Sequence, residues 1–133
     1  MIAGILAAGC VTKTPPVEGS FKSQNAALVL SGGKFEMSLD GVRVEGETSQ
    51  LLGDRLTLHP KTLEGRTEDE ATQDAFKRAA QMGVQTDMEA LASYFQPIRM
   101  KVGQGGKTLV PEGIKPLTGG RPAPYQAIGE LRR

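Results

Sequence analysis

The chain has 133 residues, with 16 Lys and Arg against 15 Asp and Glu and a formal net charge of +1. That balance, with cations scattered beside acids, excludes an electrostatic nucleic-acid binder. A single cysteine excludes an intramolecular disulfide, while 17 glycines and no tryptophan point to short strands, tight turns and a modest core.

In chain order, residues 2–6 are apolar and uncharged, Ala7-Ala8-Gly9 are small, and Cys10 is followed by Val11-Thr12-Lys13-Thr14-Pro15-Pro16. This run resembles the lipobox of bacterial lipoprotein precursors. The resemblance implies that the Cys10 thiol carries a diacylglycerol and becomes the new first residue. A thiolate is the nucleophile such a transfer needs, and small residues fit a narrow signal-peptidase cleft. A short buried strand with a free thiol would explain the apolar run, but not its abrupt change to Thr, Lys and Pro. No Lys or Arg precedes Cys10 and the apolar run is very short, two departures from the lipobox pattern; one explanation is that Met1 is internal to a longer signal peptide. Residues 1–9 are then a signal-peptide remnant, residues 10–17 the lipidated cysteine and tether, and residues 18–133 one β-rich domain. Pro15-Pro16 favours an extended tether, rising about 3.1 Å per residue. No run approaches the ~20 apolar residues of a spanning helix, so the expected membrane contact is the N-terminal lipid. The expected location is extracytoplasmic, on the cell envelope.

From residue 18 to about 65 the pattern is a β-meander. Phe35, Met37 and Leu39 alternate with Lys34, Glu36 and Ser38. Val42 and Val44 alternate with Arg43 and Glu45, and Leu56 and Leu58 with Arg55 and Thr57. Period-two alternation marks strands with one wet face. Ser31-Gly32-Gly33, Asp40-Gly41 and Gly53-Asp54 supply turns, and Gly46 inside a strand suggests a bulge.

Gly19-Ser20-Phe21, Leu28-Val29-Leu30, Gly33-Lys34-Phe35-Glu36-Met37, Val44-Glu45-Gly46 and Gly53-Asp54-Arg55-Leu56-Thr57-Leu58 together resemble small bacterial lipoprotein β-domains. These are the META-type and copper-resistance-lipoprotein N-terminal domains and, more loosely, lipocalin-like barrels. The resemblance covers about a third of the chain and implies architecture only. Glu47-Thr48 stand where an aromatic usually follows the strand glycine, and the paired cysteines of the copper-resistance type are missing, so copper handling is not carried over.

A two-helix insert is expected at about 67–95. Thr67-Glu68-Asp69-Glu70 reads as a capping box with acids at the positive helix end. Ala71, Ala75, Phe76, Ala79 and Ala80 make an apolar face, and Gly83 stops the helix. Thr86-Asp87-Met88-Glu89 reads as a second box before the stripe Met88, Leu91, Ala92 and Phe95. Strands return with Ile98, Met100 and Val102, turn at residues 103–106 and run back over residues 107–110. Residues 111–124 are irregular, and a strand over about 125–131 could close the sheet against the first.

Little chemistry is visible. Gly105-Gly106-Lys107-Thr108 resembles the tail of a phosphate-binding loop, but Lys101 stands where its first glycine belongs and no helix can follow. His59 is the only histidine and cannot by itself build a multi-His metal site. Glu64, Glu68, Asp69, Glu70 and Asp74 cluster, yet capping and helix polarity account for three of them. Phe76, Met82, Met88, Tyr94 and Phe95 could line an apolar pocket under the helices, with Phe76, Met88 and Phe95 the leading contacts. The fold class is therefore mainly β, an antiparallel meander or small barrel with a helical insert. No catalytic residue, metal or cofactor is assigned. The expected role is non-enzymatic, a binding or structural part in the envelope. The alternative is carriage of a small apolar ligand between sheet and helices.

Overall fold

The computed structural model describes residues 17–50 and 54–133. Eight antiparallel strands follow one another around a closed barrel: β1 (Gly19–Lys22), β2 (Ala26–Ser31), β3 (Lys34–Leu39), β4 (Val42–Gln50), β5 (Arg55–Leu63), β6 (Ile98–Gly103), β7 (Thr108–Glu112) and β8 (Leu131–Arg132). Helices α1 (Glu68–Met82) and α2 (Met88–Ser93) interrupt the meander between β5 and β6.

The alternation dictates the closure. Phe21, Leu28, Leu30, Phe35, Met37, Leu39, Val44, Leu56, Leu58, Ile98, Met100, Leu109 and Leu131 all turn inward and are buried. Their strand neighbours Lys34, Glu36, Ser38, Arg43, Arg99 and Lys101 face out. An eight-stranded barrel is just wide enough for side chains to fill it, so the interior is a packed core. A dry inside and charged outside reverse the pattern of a membrane-spanning barrel, whose outer face is apolar. No helix among the described residues is long and apolar enough to cross a membrane.

Two of the expected turns form as the sequence calls for, while Gly53 of the expected Gly53-Asp54 turn lies outside the described residues. Gly32 and Gly33 (φ 60° and 79°), and Asp40 and Gly41 (φ 48° and 82°), give two-residue hairpins with left-handed backbone. The ladder between β4 and β5 shifts register between Glu45 and Gly46, the bulge expected there. Pro60, within β5, lies beyond the stretch of that strand that pairs with β6; a residue with no N–H suits such a free edge.

Two elements differ from expectation. The final strand has only two residues, because Pro124–Ala127 winds into a 3₁₀ turn that puts Tyr125 and Ile128 into the core. The short strand still closes the barrel, pairing Arg132 with Lys22 of β1 and with Thr108 of β7. Pro111 and Glu112, expected in an irregular segment, belong to β7. Residues 113–130 then cross one end of the barrel as a strap, tied down where Ser23 Oγ donates to the Ile128 carbonyl and Asn25 Nδ2 to the Ala127 carbonyl.

Candidate functional site

The two ends of the barrel are unlike. Val17, where the described chain begins, packs against the core, and its N–H donates to Gln50 Oε1 at 2.9 Å. At this end lie the β2–β3 and β6–β7 turns. The helices, the strap and the β1–β2 and β3–β4 turns occupy the opposite end. Cys10 lies outside the described residues.

The Thr67 cap is as expected: Thr67 Oγ1 accepts from Glu70 N–H and Glu70 Oε1 from Thr67 N–H. The Thr67 N–H and the Thr67 hydroxyl, both donating to Glu70 Oε1, hold the Glu70 carboxyl below its usual range. For α2 the cap is Asp87, not Thr86, accepting from Ala90 N–H at 3.2 Å. That shift by one residue places Asp87 and Glu89 beside the strap, where Arg121 bridges both. Thr118 N–H and Oγ1 each donate to Glu89 Oε2 at 2.8 Å. The Arg121 hydrogen bond leads in pulling Asp87 below its ordinary pKa, and the Thr118 bonds lead for Glu89. The clamp fixes the strap to α2.

Only Ala71 and Ala75 of α1 are buried. The second half of the helix carries its apolar residues into solvent: Phe76 is 63% exposed and Met82 65%. Met88 is 37% exposed, whereas Phe95 packs on the core beside Leu91 and Tyr94. The three expected ligand contacts are thus not gathered over a common pocket. Between α1, α2 and the end of β5 there is only an open depression of ≈ 250 Å³, rimmed by Arg66, Asp74 and Arg78, which pair among themselves. Asp74 and Glu70 of the acidic cluster are therefore spoken for, and the described residues hold no group of three or more His, Cys, Asp and Glu able to take a metal.

The larger concavity lies elsewhere at the same end. A groove of ≈ 340 Å³ runs between the chain after α2, the outer edge of β6 and β7, and the start of the strap. Its apolar side is Pro97, Ile114, Ala123 and the buried Tyr125 ring. The Tyr125 hydroxyl donates to the Tyr94 carbonyl and its ring meets Tyr94 edge-on at 5.5 Å. Burial pushes the Tyr125 phenol far above its ordinary value of 10.0, so the floor stays neutral. The rim carries Arg99, Lys115, Gln96 and Glu112. Alternation puts Arg99 outward, but Lys115 sits in an irregular run that offers no sequence signal.

One further pairing was not legible in the sequence. Ser49 Oγ and His59 Nε2 lie 2.8 Å apart across β4 and β5. The pair sits on the barrel's outer wall. No carboxylate among the described residues bonds the ring. Among the described residues it therefore lacks the orienting acid of an acyl-transfer triad.

No protein-family model, curated protein or solved structure matches the chain.

Proposed function

We propose that the protein is a lipid-tethered, non-enzymatic binding module of the bacterial envelope, held at one end of its barrel and engaging a protein partner at the other. The observation that carries this reading is the barrel's polarity. The chain enters beside Gln50, at the end away from the helices and the groove. With Cys10 acylated, a tether of about six extended residues would let that end stand roughly 20 Å from the lipid surface. The insert would then point into the aqueous space, where the exposed Phe76, Met82 and Val84 offer the apolar surface that protein interfaces use. The filled barrel supports binding on the outside of the fold rather than within it.

Expression of the full reading frame in a competent bacterial host with labelled palmitate tests the anchor. Label and membrane fractionation are expected for the natural chain and should both vanish in Cys10→Ser; an unlabelled, freely soluble natural chain would refute the tether. The orientation is tested by placing a photo-crosslinking residue at Phe76 or, at the opposite end, at Lys34. The same envelope protein should be captured from Phe76 only, and equal capture from Lys34 would refute the polarity.

A further inference from the structure

The groove at the strap has a charge imbalance that its fold does not use. Glu112 is its only acid and is engaged by Arg55 from outside. Arg99 and Lys115 have no ion-pair partner among the described residues, although Glu112 stands opposite Arg99 in the β6–β7 register. Arg55 is shared between Glu112 and Asp54, so the three cations and two acids at and beside the groove together keep one positive charge. Two rim groups, the Arg99 guanidinium and the Lys115 ammonium, can only donate, and the Gln96 amide can turn its N–H groups the same way. Ser93 spends its own proton on the Ala90 carbonyl, at 2.6 Å. The floor makes no polar demand, because the Tyr125 hydroxyl is already bonded to Tyr94.

We propose that this groove binds a carboxylate at the end of a short apolar chain, with Arg99 and Lys115 holding the head group and Pro97, Ile114 and the Tyr125 ring covering the tail. Arg presents a planar fork that fits both carboxylate oxygens, and Lys adds a mobile point charge. One net positive charge matches a monoanion, whereas a phosphate dianion would leave charge uncompensated. At about 30 Å³ per water-sized group, a volume of ≈ 340 Å³ holds a ligand of roughly ten heavy atoms. A small free acid and the C-terminal residues of a peptide share this chemistry. The inference refines the binding reading above but does not depend on the anchor.

The test is titration of the full chain, solubilised in detergent, followed by backbone amide NMR shifts. The probes are hexanoate, hexanol, hexyl phosphate, and a short Leu-ending peptide with a free or amidated C-terminus. Hexanoate or the free peptide, or both, should bind at least tenfold tighter than the uncharged counterpart, with shifts centred on Gln96, Gly113 and Ile114. Whichever binds identifies the source of the carboxylate. The paired substitutions Arg99→Gln and Lys115→Gln, both at exposed side chains, should weaken binding at least tenfold with an unchanged circular dichroism spectrum. Lys34→Gln with Lys107→Gln, at the other end, should leave it unchanged. Equal affinity for hexanol, tighter binding of hexyl phosphate, shifts centred elsewhere, no binding of either acid, or full affinity in the groove variant would each overturn the proposal.

Discussion

Replacing Gly46 by alanine should be far more damaging than its small size suggests. Its backbone is not in the left-handed region, so the cost is purely steric. A Cβ at this position would lie 2.1 Å from the His59 carbonyl oxygen, 2.9 Å from the His59 carbonyl carbon and 2.9 Å from Phe35 Cε1. Two of these atoms are backbone of the facing strand, so no rotamer change relieves the contact. To bring the 2.1 Å contact to an ordinary van der Waals distance of 3.4 Å or more, β4 and β5 must part by well over 1 Å at the bulge. Forcing a methyl into a packed site costs about 1–3 kcal/mol, and straining one ladder hydrogen bond adds about 1 kcal/mol. The expected loss is about 3 kcal/mol, or roughly 12 °C in Tm at about 4 °C per kcal/mol for a domain of this size. Gly41→Ala is the control. It has φ 82° but open space around it, so only conformational strain of about 1–2 kcal/mol is expected. Urea unfolding monitored by far-UV circular dichroism measures both. A Gly46→Ala variant within 0.5 kcal/mol of the parent, or less affected than Gly41→Ala, would refute the claim that close strand approach at the bulge requires glycine.

Other consequences can be measured directly. Because burial raises the Tyr125 pKa, the unfolded chain ionises first as pH rises past 10. This tyrosine's stabilising contribution is whole below that pH and is lost above it. Absorbance at 295 nm should accordingly show a late, cooperative step coincident with unfolding, and its early non-cooperative appearance would contradict the burial. Arg121→Ala should release the strap from α2, speeding amide exchange at Thr118 and Ala90 while leaving β2–β5 protected. The clamp acids Asp87 and Glu89 have depressed pKa values. Their contribution is therefore present above the ordinary carboxylate range and fades as pH falls below it, so the natural chain should approach the variant's exchange pattern in acid.

Much of the barrel could be read from residue patterns. Phe35, Met37 and Leu39 declare a strand and its buried face, Gly32-Gly33 and Asp40-Gly41 declare the hairpins, and Thr67 with Glu70 declares the start of α1. What failed was whatever depends on distant chain. Phe76 falls on an apolar helical stripe, but a stripe does not reveal whether anything covers it, and α1 leaves the barrel after Ala75. The strap turned helical at Pro124–Ala127 because burying Tyr125 and Ile128 under the barrel outweighs extending the final strand. The Ser49–His59 contact depends on a register that one bulge residue shifts, and the groove joins Arg99 to Lys115 from segments with no shared motif. The architecture is local in its signals, whereas the candidate site is assembled entirely by tertiary contacts.

The two-residue β8 staple has a kinetic meaning. Lys22 cannot meet Arg132 until all the chain between them is available, and such distant pairings slow folding. Until that late meeting the outer edges of β1 and β7 stay unpaired, so a nearly folded molecule is open to adding a strand from a neighbour, and crowding during refolding should favour aggregation.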